Sequence, residues 1–416
     1  MTAIKQAITA SRSRFDFINQ SWINAGATIL NMSRDRKTFF GADGAALRSS
    51  TNVDTTTTPT WETLYTFPTT NGSTVTGFVE LENGEAMVVT TESGRANNLS
   101  RVYISSGWSA NNAAATWTET LYTIGGKIVP HYCLYDWTNA KDGTVLISEE
   151  GPHTLGGVGN VAADVRRSRR VWVSKDFGST WNLIFDLVDY AATQGVPYPA
   201  SVHMHGCAYD QDWGRIWVCY GDGTGDGKSI AGMGNTQVVY SDDNGATWQK
   251  LPMPALWTIT GATVSESFQF ISVAVFNNSI VFTHDLTQPL APVVYPKIGY
   301  RKMGSPFFGP AYSSAVNGIP RKSARDGRVP AFFTGGTISG VQTGTIRWAV
   351  ACTDDDGFTW SGVYGEIPLQ SPAITGQGFT QVLGPTINGK VVVVGTNLYV
   401  NNDNTKRTMV ADLVQT

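Results

Sequence analysis

Residues that could exchange protons cluster in one part of this chain. Four of its five histidines lie between positions 131 and 205, near acidic, basic and phenolic side chains. Imidazole donates, accepts and transfers protons near neutral pH. Elimination at a uronic acid needs such a base, a proton donor for the leaving oxygen and a cation on the carboxylate. The residues predicted to fill these catalytic roles are His131, His203, Tyr220 and Arg169.

A second group is predicted to bind the substrate. It consists of Glu149, His153, His205 and Asp222. Metal binding is an alternative, because His203, His205 and Cys207 would share one face of a regular strand and could hold zinc. A bulge at Gly206 would break that alternation, and no fourth ligand has a recognisable spacing. We therefore expect neither a metal nor another cofactor.

A repeated eight-residue signature shows which elements must position these residues. It reads S/T-x-D-x-G-x-T-W and occurs at Ser174–Trp181, Ser241–Trp248 and Thr353–Trp360. Its hydroxyl and carboxylate can accept hydrogen bonds from turn amides, glycine supplies a positive φ, and tryptophan starts the next strand. The signature therefore predicts a hairpin turn with a structural aspartate and a largely buried tryptophan. The residues concerned are Asp176, Trp181, Asp243, Trp248, Asp355 and Trp360.

The spacing of the signature predicts a repeat architecture. Trp61 and Trp117 keep only its Thr-Trp ending, and successive tryptophans lie about 60 positions apart until a final gap about twice as long. A hidden unit is therefore predicted around Phe268–Pro310. A period of this size is typical of a β-propeller. With further strands after Thr380 and a closing strand near Phe15–Ile18, seven blades are favoured, and six are the alternative.

Composition supports one all-β domain. The 416 residues include 44 glycines and only 15% charged residues, which suits short strands and tight turns. We expect an N-terminal segment, 1–20, that contains the closing strand, and a single propeller over 21–416. The net charge of −3 without a basic run argues against nucleic acid. No signal-peptide core or membrane-spanning segment is evident.

The two cysteines near the predicted site flank a predicted hairpin turn at Asp212–Gly214. Cys207 and Cys219 are placed symmetrically about this turn, so they could face one another across antiparallel strands. A disulfide is one alternative. Buried free thiols are favoured, because the chain has only four cysteines.

The signature resembles the Asp-box, or BNR repeat, of sialidase-like β-propellers. The resemblance implies an all-β propeller of a kind that often handles glycans. Sialidase activity is not expected, because that family has an Arg-Ile-Pro element near its start, whereas the nearest match here is Arg328–Pro330. The chain also resembles, in architecture, polysaccharide lyases that use histidine and tyrosine on seven-bladed propellers.

These patterns favour a protein that recognises a cell-surface polysaccharide or glycan. The resemblance and the absence of a signal peptide suggest a phage tail component, with other tail proteins as partners. An extracellular or virion location is favoured, and the cytoplasm is the alternative. Two other functions stay open. One is a polysaccharide lyase or glycoside hydrolase, and the other is a structural propeller that docks proteins.

Overall fold

A computed structural model gives the structure of the protein. It describes residues 15–68, 73–92, 99–124, 142–149, 169–194, 203–221, 238–251, 257–259, 262–264, 270–284, 293–308, 318–321, 331–335, 337–338, 345–353, 358, 361–368, 377–396 and 407–415.

Strands that are neighbours in sequence form six antiparallel sheets of three or more strands in this part of the chain, which we number as blades 1 to 6. Blade 1 contains β2 (Thr28–Met32), β3 (Phe39–Asp43), β4 (Ala46–Ser50) and β5 (Glu62–Thr66). Blade 2 contains β6 (Ser73–Glu80), β7 (Ala86–Glu92), β8 (Leu99–Ser106) and β9 (Thr116–Ile124). Blade 3 contains β10 (Val145–Ser148), β11 (Arg170–Ser174) and β12 (Asn182–Asp186).

The remaining blades follow the same order. Blade 4 contains β13 (His203–Asp210), β14 (Arg215–Gly221), β15 (Val238–Ser241) and β16 (Gln249–Lys250), and a separate hairpin pairs β17 (Trp257–Ile259) with β18 (Ala262–Val264). Blade 5 contains β19 (Phe270–Val275), β20 (Ser279–His284), β21 (Val293–Ile298), β22 (Lys302–Met303) and β23 (Phe307–Phe308). Blade 6 contains β24 (Gly318–Arg321), β25 (Ala331–Gly335), β27 (Thr345–Thr353) and β28 (Ser361–Pro368).

A further sheet joins the two ends of the described chain, and we call it the closing sheet. Its strand order is β1 (Phe15–Asn24), β31 (Arg407–Gln415), β30 (Lys390–Thr396), β29 (Gln377–Leu383) and β26 (Thr337–Ile338). The predicted pairing of an N-terminal strand with the C-terminal strands is confirmed, since Phe15 lies opposite Gln415. Strand β1 runs across position 20, so the segment from Phe15 belongs to the propeller.

Apolar side chains pack between successive sheets, and this packing makes the fold a β-propeller. Alternate residues of one strand face opposite neighbours. In blade 3, Val145 packs against blade 2, whereas Leu146 packs against blade 4. Similar clusters join blade 1 to blade 2, blade 4 to blade 5, and the closing sheet to blade 1. The hidden unit predicted around Phe268–Pro310 is confirmed, because it coincides with blade 5.

Two faces of the propeller matter for the site. In each four-stranded blade the second strand ends, and the third begins, at what we call the upper face. In blade 3 the described strands β10 and β11 take the second and third places. The turns between third and fourth strands lie at the lower face. Helix α1 (Leu187–Thr193) follows blade 3, and the Asp186 carboxylate caps it by accepting from Val188 N at 2.9 Å. No helix in the described ranges combines the length and the apolar character needed to cross a bilayer.

Candidate functional site

The signature turns carry the same hydrogen bonds in blades 3 and 4. Asp176 Oδ1 accepts from Thr180 N at 2.8 Å, and Asp243 Oδ1 accepts from Thr247 N at 2.8 Å. The second carboxylate oxygen accepts from the same threonine's hydroxyl at 2.7 and 2.6 Å, respectively. The prediction that these aspartates stabilise their own turns is confirmed. Asp355 and Trp360 lie outside the described residues.

The tryptophans of these turns join each blade to the one before it. Trp181 donates its indole N–H to Thr120 Oγ1 of blade 2 at 3.1 Å, and Trp248 packs edge-on against Phe185 of blade 3. Both rings are only partly buried, although the sequence predicts largely buried ones. They lie at the outer edge of an interface, where the preceding blade covers part of the ring and water reaches the rest.

A degenerate signature turn in blade 1 escaped the sequence pattern. Asn52 Oδ1 accepts from Thr60 N at 3.1 Å and from Ser50 Oγ at 2.9 Å, which repeats the contacts of Asp176. Asparagine replaces the aspartate here, and eight positions rather than four separate it from the threonine. Pairing each Thr-Trp with the nearest upstream Ser-x-Asp/Asn, whatever the gap, would have found it.

The turn carboxylates have a testable pH signature. Hydrogen bonds from Thr247 lower the pKa of Asp243 to about 2. A lowered pKa stabilises the fold at pH values above the ordinary aspartate value of 3.8, and this stabilisation is lost as pH falls towards 2. We therefore expect Asp243→Ala to have a lower Tm than the wild type at pH 7, with the difference shrinking between pH 4 and 2. Thermal scans against pH measure this, and an unchanged difference at pH 2 would contradict it.

The upper face holds the carboxyl of Glu149 inside the interface between blades 2 and 3. Glu149 N donates to Arg170 O at 3.0 Å, so the residue extends the ladder beyond β10. Its side chain is fully buried, and its Oε1 accepts from Trp172 Nε1 at 2.5 Å. Burial raises the pKa of Glu149 to about 8; the indole bond and Arg170 act in the opposite direction. Its other oxygen, Oε2, has no hydrogen-bond partner in the structure as described.

Arg169 and Tyr220 share the next interface, between blades 3 and 4. Arg169 O accepts from Leu187 N at 3.0 Å, so the two residues lie opposite one another. Leu187 packs in the core shared with blade 4, and Arg169 therefore faces blade 4 as well. Tyr220 belongs to the same core and lies 6.5 Å from Tyr190 between ring centroids. Burial raises the pKa of Tyr220, with smaller contributions from Tyr190 and Cys219. Both candidates are fully buried.

Glu149 and Tyr220 occupy the same position of the repeat. In blade 3, Val145 lies opposite the signature serine Ser174, and Glu149 follows Val145 by four residues. In blade 4, Ile216 lies opposite the signature serine Ser241, and Tyr220 follows Ile216 by four residues. Both face the preceding blade. Sequence reasoning chose both residues but did not detect this equivalence, which an alignment of the blades on their signature serines would have shown.

His205 lies at a third interface, between blades 4 and 5. Its Nδ1 is 2.8 Å from Phe270 O of blade 5, and the side chain is buried. The register shifts between Met204 and Gly206, so the bulge foreseen at Gly206 is present. Cys207 consequently packs with the blade 3 core, on the opposite face from His205. This geometry keeps apart His205 and Cys207, two of the three predicted metal ligands.

The register of the β13–β14 hairpin, which is continuous from Asp210 opposite Arg215 to Gly206 opposite Cys219, explains the cysteines. Cys207 lies opposite Val218, and Cys219 lies opposite Gly206, so the hairpin is offset by one residue from the symmetric arrangement. The two thiols therefore point to opposite faces of blade 4, one into each neighbouring core. The expected buried free thiols are confirmed for this pair.

Four candidates remain, and their side chains lie outside the described structure. The backbone of His203 begins β13 opposite Gly221, at the upper face. His131, His153 and Asp222 lie outside the described residues. The described candidates thus gather at the upper ends of three successive interfaces rather than around one shared group.

An exposed aromatic and charged cluster lies on the outer part of blade 2, which sequence reasoning missed. The guanidinium of Arg101 lies 4.5 Å from the centroid of the Tyr122 ring, which is 41% exposed. Arg101 Nη1 donates to Glu119 at 2.8 Å and Nη2 to the buried Glu92 at 3.4 Å. Partial burial would lower the pKa of Arg101, but Glu119 outweighs it, so the pKa is raised. We call these four residues the Arg101 cluster.

Comparisons with known proteins add the following. No family model matches the chain, and neither does any curated protein. Three solved structures illustrate the similarity in fold. A chain of the mitotic checkpoint complex is 9% identical, with a TM-score of 0.45 over 95% of this chain and 93% of that one. Drosophila Plexin A in complex with Semaphorin 1b is 8% identical, with a TM-score of 0.43 over 97% of this chain and 88% of that one. A luciferin-regenerating enzyme is 7% identical, with a TM-score of 0.36 over 96% of this chain and 95% of that one. The fold assignment rests on the sheet topology, and these distant similarities carry over no function.

Proposed function

We propose that this β-propeller recognises a saccharide of a cell surface and does not cleave it. The burial of the described candidates supports binding elsewhere rather than chemistry. The catalytic candidates Arg169 and Tyr220 and the substrate-binding candidate Glu149 are all fully buried between blades, where a polymeric substrate would have to separate the sheets to reach them. General acid–base catalysis requires groups within hydrogen-bonding reach of the substrate.

The Arg101 cluster is the observation that carries the saccharide proposal. Tyr122 offers a ring, 41% exposed, for a sugar to stack on, and the contacts of Arg101 with two glutamates hold its planar donors over one face of that ring. Such an arrangement of an apolar ring next to fixed polar groups suits a sugar, which has an apolar face and a polar rim. Membership of the BNR/Asp-box group and a role in a phage tail, with other tail proteins as partners, are parts of the same proposal.

Binding to a glycan array and to whole cells tests the proposal. We expect Tyr122→Ala to weaken saccharide binding about tenfold or more, in keeping with the loss of one stacking platform. Tyr300→Ala is the matched control, because Tyr300 is another exposed tyrosine, on the turn between β21 and β22 of blade 5. It should bind as the wild type does.

Three results would contradict parts of this proposal. Unsaturated or hydrolysed sugar products from the wild type would make the protein a lyase or glycosidase. Equal binding by Tyr122→Ala and the wild type would move the site away from the Arg101 cluster. Loss of cell binding in Tyr300→Ala, without any glycan signal from the wild type, would support a propeller that docks proteins.

A further inference from the structure

The interface between blades 2 and 3 contains a buried polar layer above its apolar core. From blade 3, Glu149 and Trp172 face blade 2, because they continue the face formed by Val145 and Ile147. From blade 2, four hydroxyl residues lie on the face that packs against blade 3. We call these the hydroxyl row: Thr76, Thr91, Ser100 and Thr123.

The hydroxyl row is connected across the width of blade 2. Thr91 Oγ1 lies 3.1 Å from Thr76 Oγ1 and 3.3 Å from Ser100 Oγ, and Thr123 Oγ1 donates to Ser100 O at 3.5 Å. Thr91, Ser100 and Thr123 are buried. Hydroxyls can donate to or accept from a neutral carboxyl, but they cannot neutralise an ionised one.

Among the described residues, none is a dedicated counter-ion of Glu149 in this layer. The described charged groups that act on it are Arg170 and Asp186, both of blade 3. Arg170 Nε is 3.2 Å from Asp186 Oδ2, so Arg170 is already paired with the carboxylate of Asp186. The charged residues described in the upper part of blade 2 are Arg101 and Glu92. Both lie on the face turned away from blade 3, because Val102 and Val89 face blade 3 and side chains alternate along each strand. An ionised Glu149 would therefore be a buried charge with one unpartnered oxygen.

We propose that Glu149 is a proton-sensitive latch between blades 2 and 3, which holds the two blades together when neutral and loosens them when ionised. Ionisation is costly in the closed interface, and it is relieved when water enters between Glu149 and the hydroxyl row. Local opening is the response, since the apolar cores of the other interfaces do not depend on this group.

The direction of the pH dependence follows from the geometry. The carboxyl holds its proton more tightly when the blades are closed, with a pKa of about 8, than when water reaches it, where 4.5 is the ordinary value. The latch is therefore at full strength below about pH 4.5 and weakens as pH rises. It has lost its contribution above about pH 8.

Amide hydrogen exchange of the full chain, corrected for intrinsic rates, tests the latch. Protection of the Val145–Ser148 amides should fall up to about tenfold per pH unit between pH 5 and 8 and then level off. In Glu149→Gln the protection should not change with pH. Glu62→Gln, an exposed glutamate on β5, is the matched control and should follow the wild type.

Trp172→Phe provides a second measurement that does not depend on the glutamine variant folding. It removes the indole bond that lowers the pKa of Glu149, so the levelling-off should move to higher pH. In every variant the Val391–Val394 amides of the closing sheet should keep their wild-type behaviour. Protection that is independent of pH in the wild type, an unchanged slope in Glu149→Gln, or equal loosening of all blades would overturn the latch.

Discussion

Replacing Lys297 by methionine is expected to lower the free energy of unfolding by about 3–5 kcal/mol. Lys297 extends from β21 of blade 5 to the turn between β13 and β14 of blade 4. Its Nζ lies 2.9 Å from both carboxylate oxygens of Asp210. The side chains of both residues are almost completely buried, at 5% and 0% exposure. Methionine keeps the apolar stem but leaves the carboxylate of Asp210 buried without its cation.

Denaturant unfolding measures this effect. Lys302→Met is the matched control, because Lys302 is an exposed lysine on the neighbouring strand β22 and should unfold within about 0.5 kcal/mol of the wild type. The double variant with Asp210→Asn should recover part of the loss, since the orphaned charge is then absent. A Lys297→Met protein as stable as the control would mean that water already reaches Asp210.

The turns were predictable because their interactions are local. In Asp176 and Asp243 the carboxylate bonds to residues four positions away, so eight letters of sequence contain the whole structural unit. The period of the Thr-Trp endings then reflects the repetition of blades. The turn at Asn52 was missed because its partner Thr60 lies eight positions away, across an insertion that the eight-residue signature does not span.

The candidate site was predictable in residue type but not in arrangement. His205 and Cys207 are two positions apart, and regular alternation would place them together. The register shift between Met204 and Gly206 instead sends them to different interfaces. Similar shifts occur in the first strands of blades 1, 2 and 5, as between Val75 and Gly77. Such a bulge depends on how the strands pack around the propeller, which short-range patterns do not contain.

Removing the ring of Trp217 is also expected to have a large effect on stability, because this ring is completely buried at the interface between blades 4 and 5. It packs against Tyr240 at 5.2 Å and edge-on against Phe282 at 5.7 Å between ring centroids. Trp217→Ala should therefore cost about 3–5 kcal/mol of unfolding free energy, as for other large aromatic truncations in a core. The cavity would lie between two blades, which each rely on the other to cover their apolar faces.

A comparison with Trp108 separates packing from hydrogen bonding. The indole nitrogen of Trp217 has no hydrogen-bond partner within the described structure, whereas Trp108 Nε1 donates to Glu80 Oε1 at 3.0 Å. Trp217→Phe should therefore lose only part of the packing. Trp108→Phe should also leave Glu80 Oε1 without its indole donor, although Oε2 still accepts from Arg34 N, and should cost about 1–3 kcal/mol more. Denaturant unfolding of Trp217→Ala, Trp217→Phe and Trp108→Phe measures these differences. An equal loss for the two phenylalanine variants would show that the Trp108 bond adds nothing. A loss below about 1 kcal/mol in Trp217→Ala would show that the blades close around the missing ring.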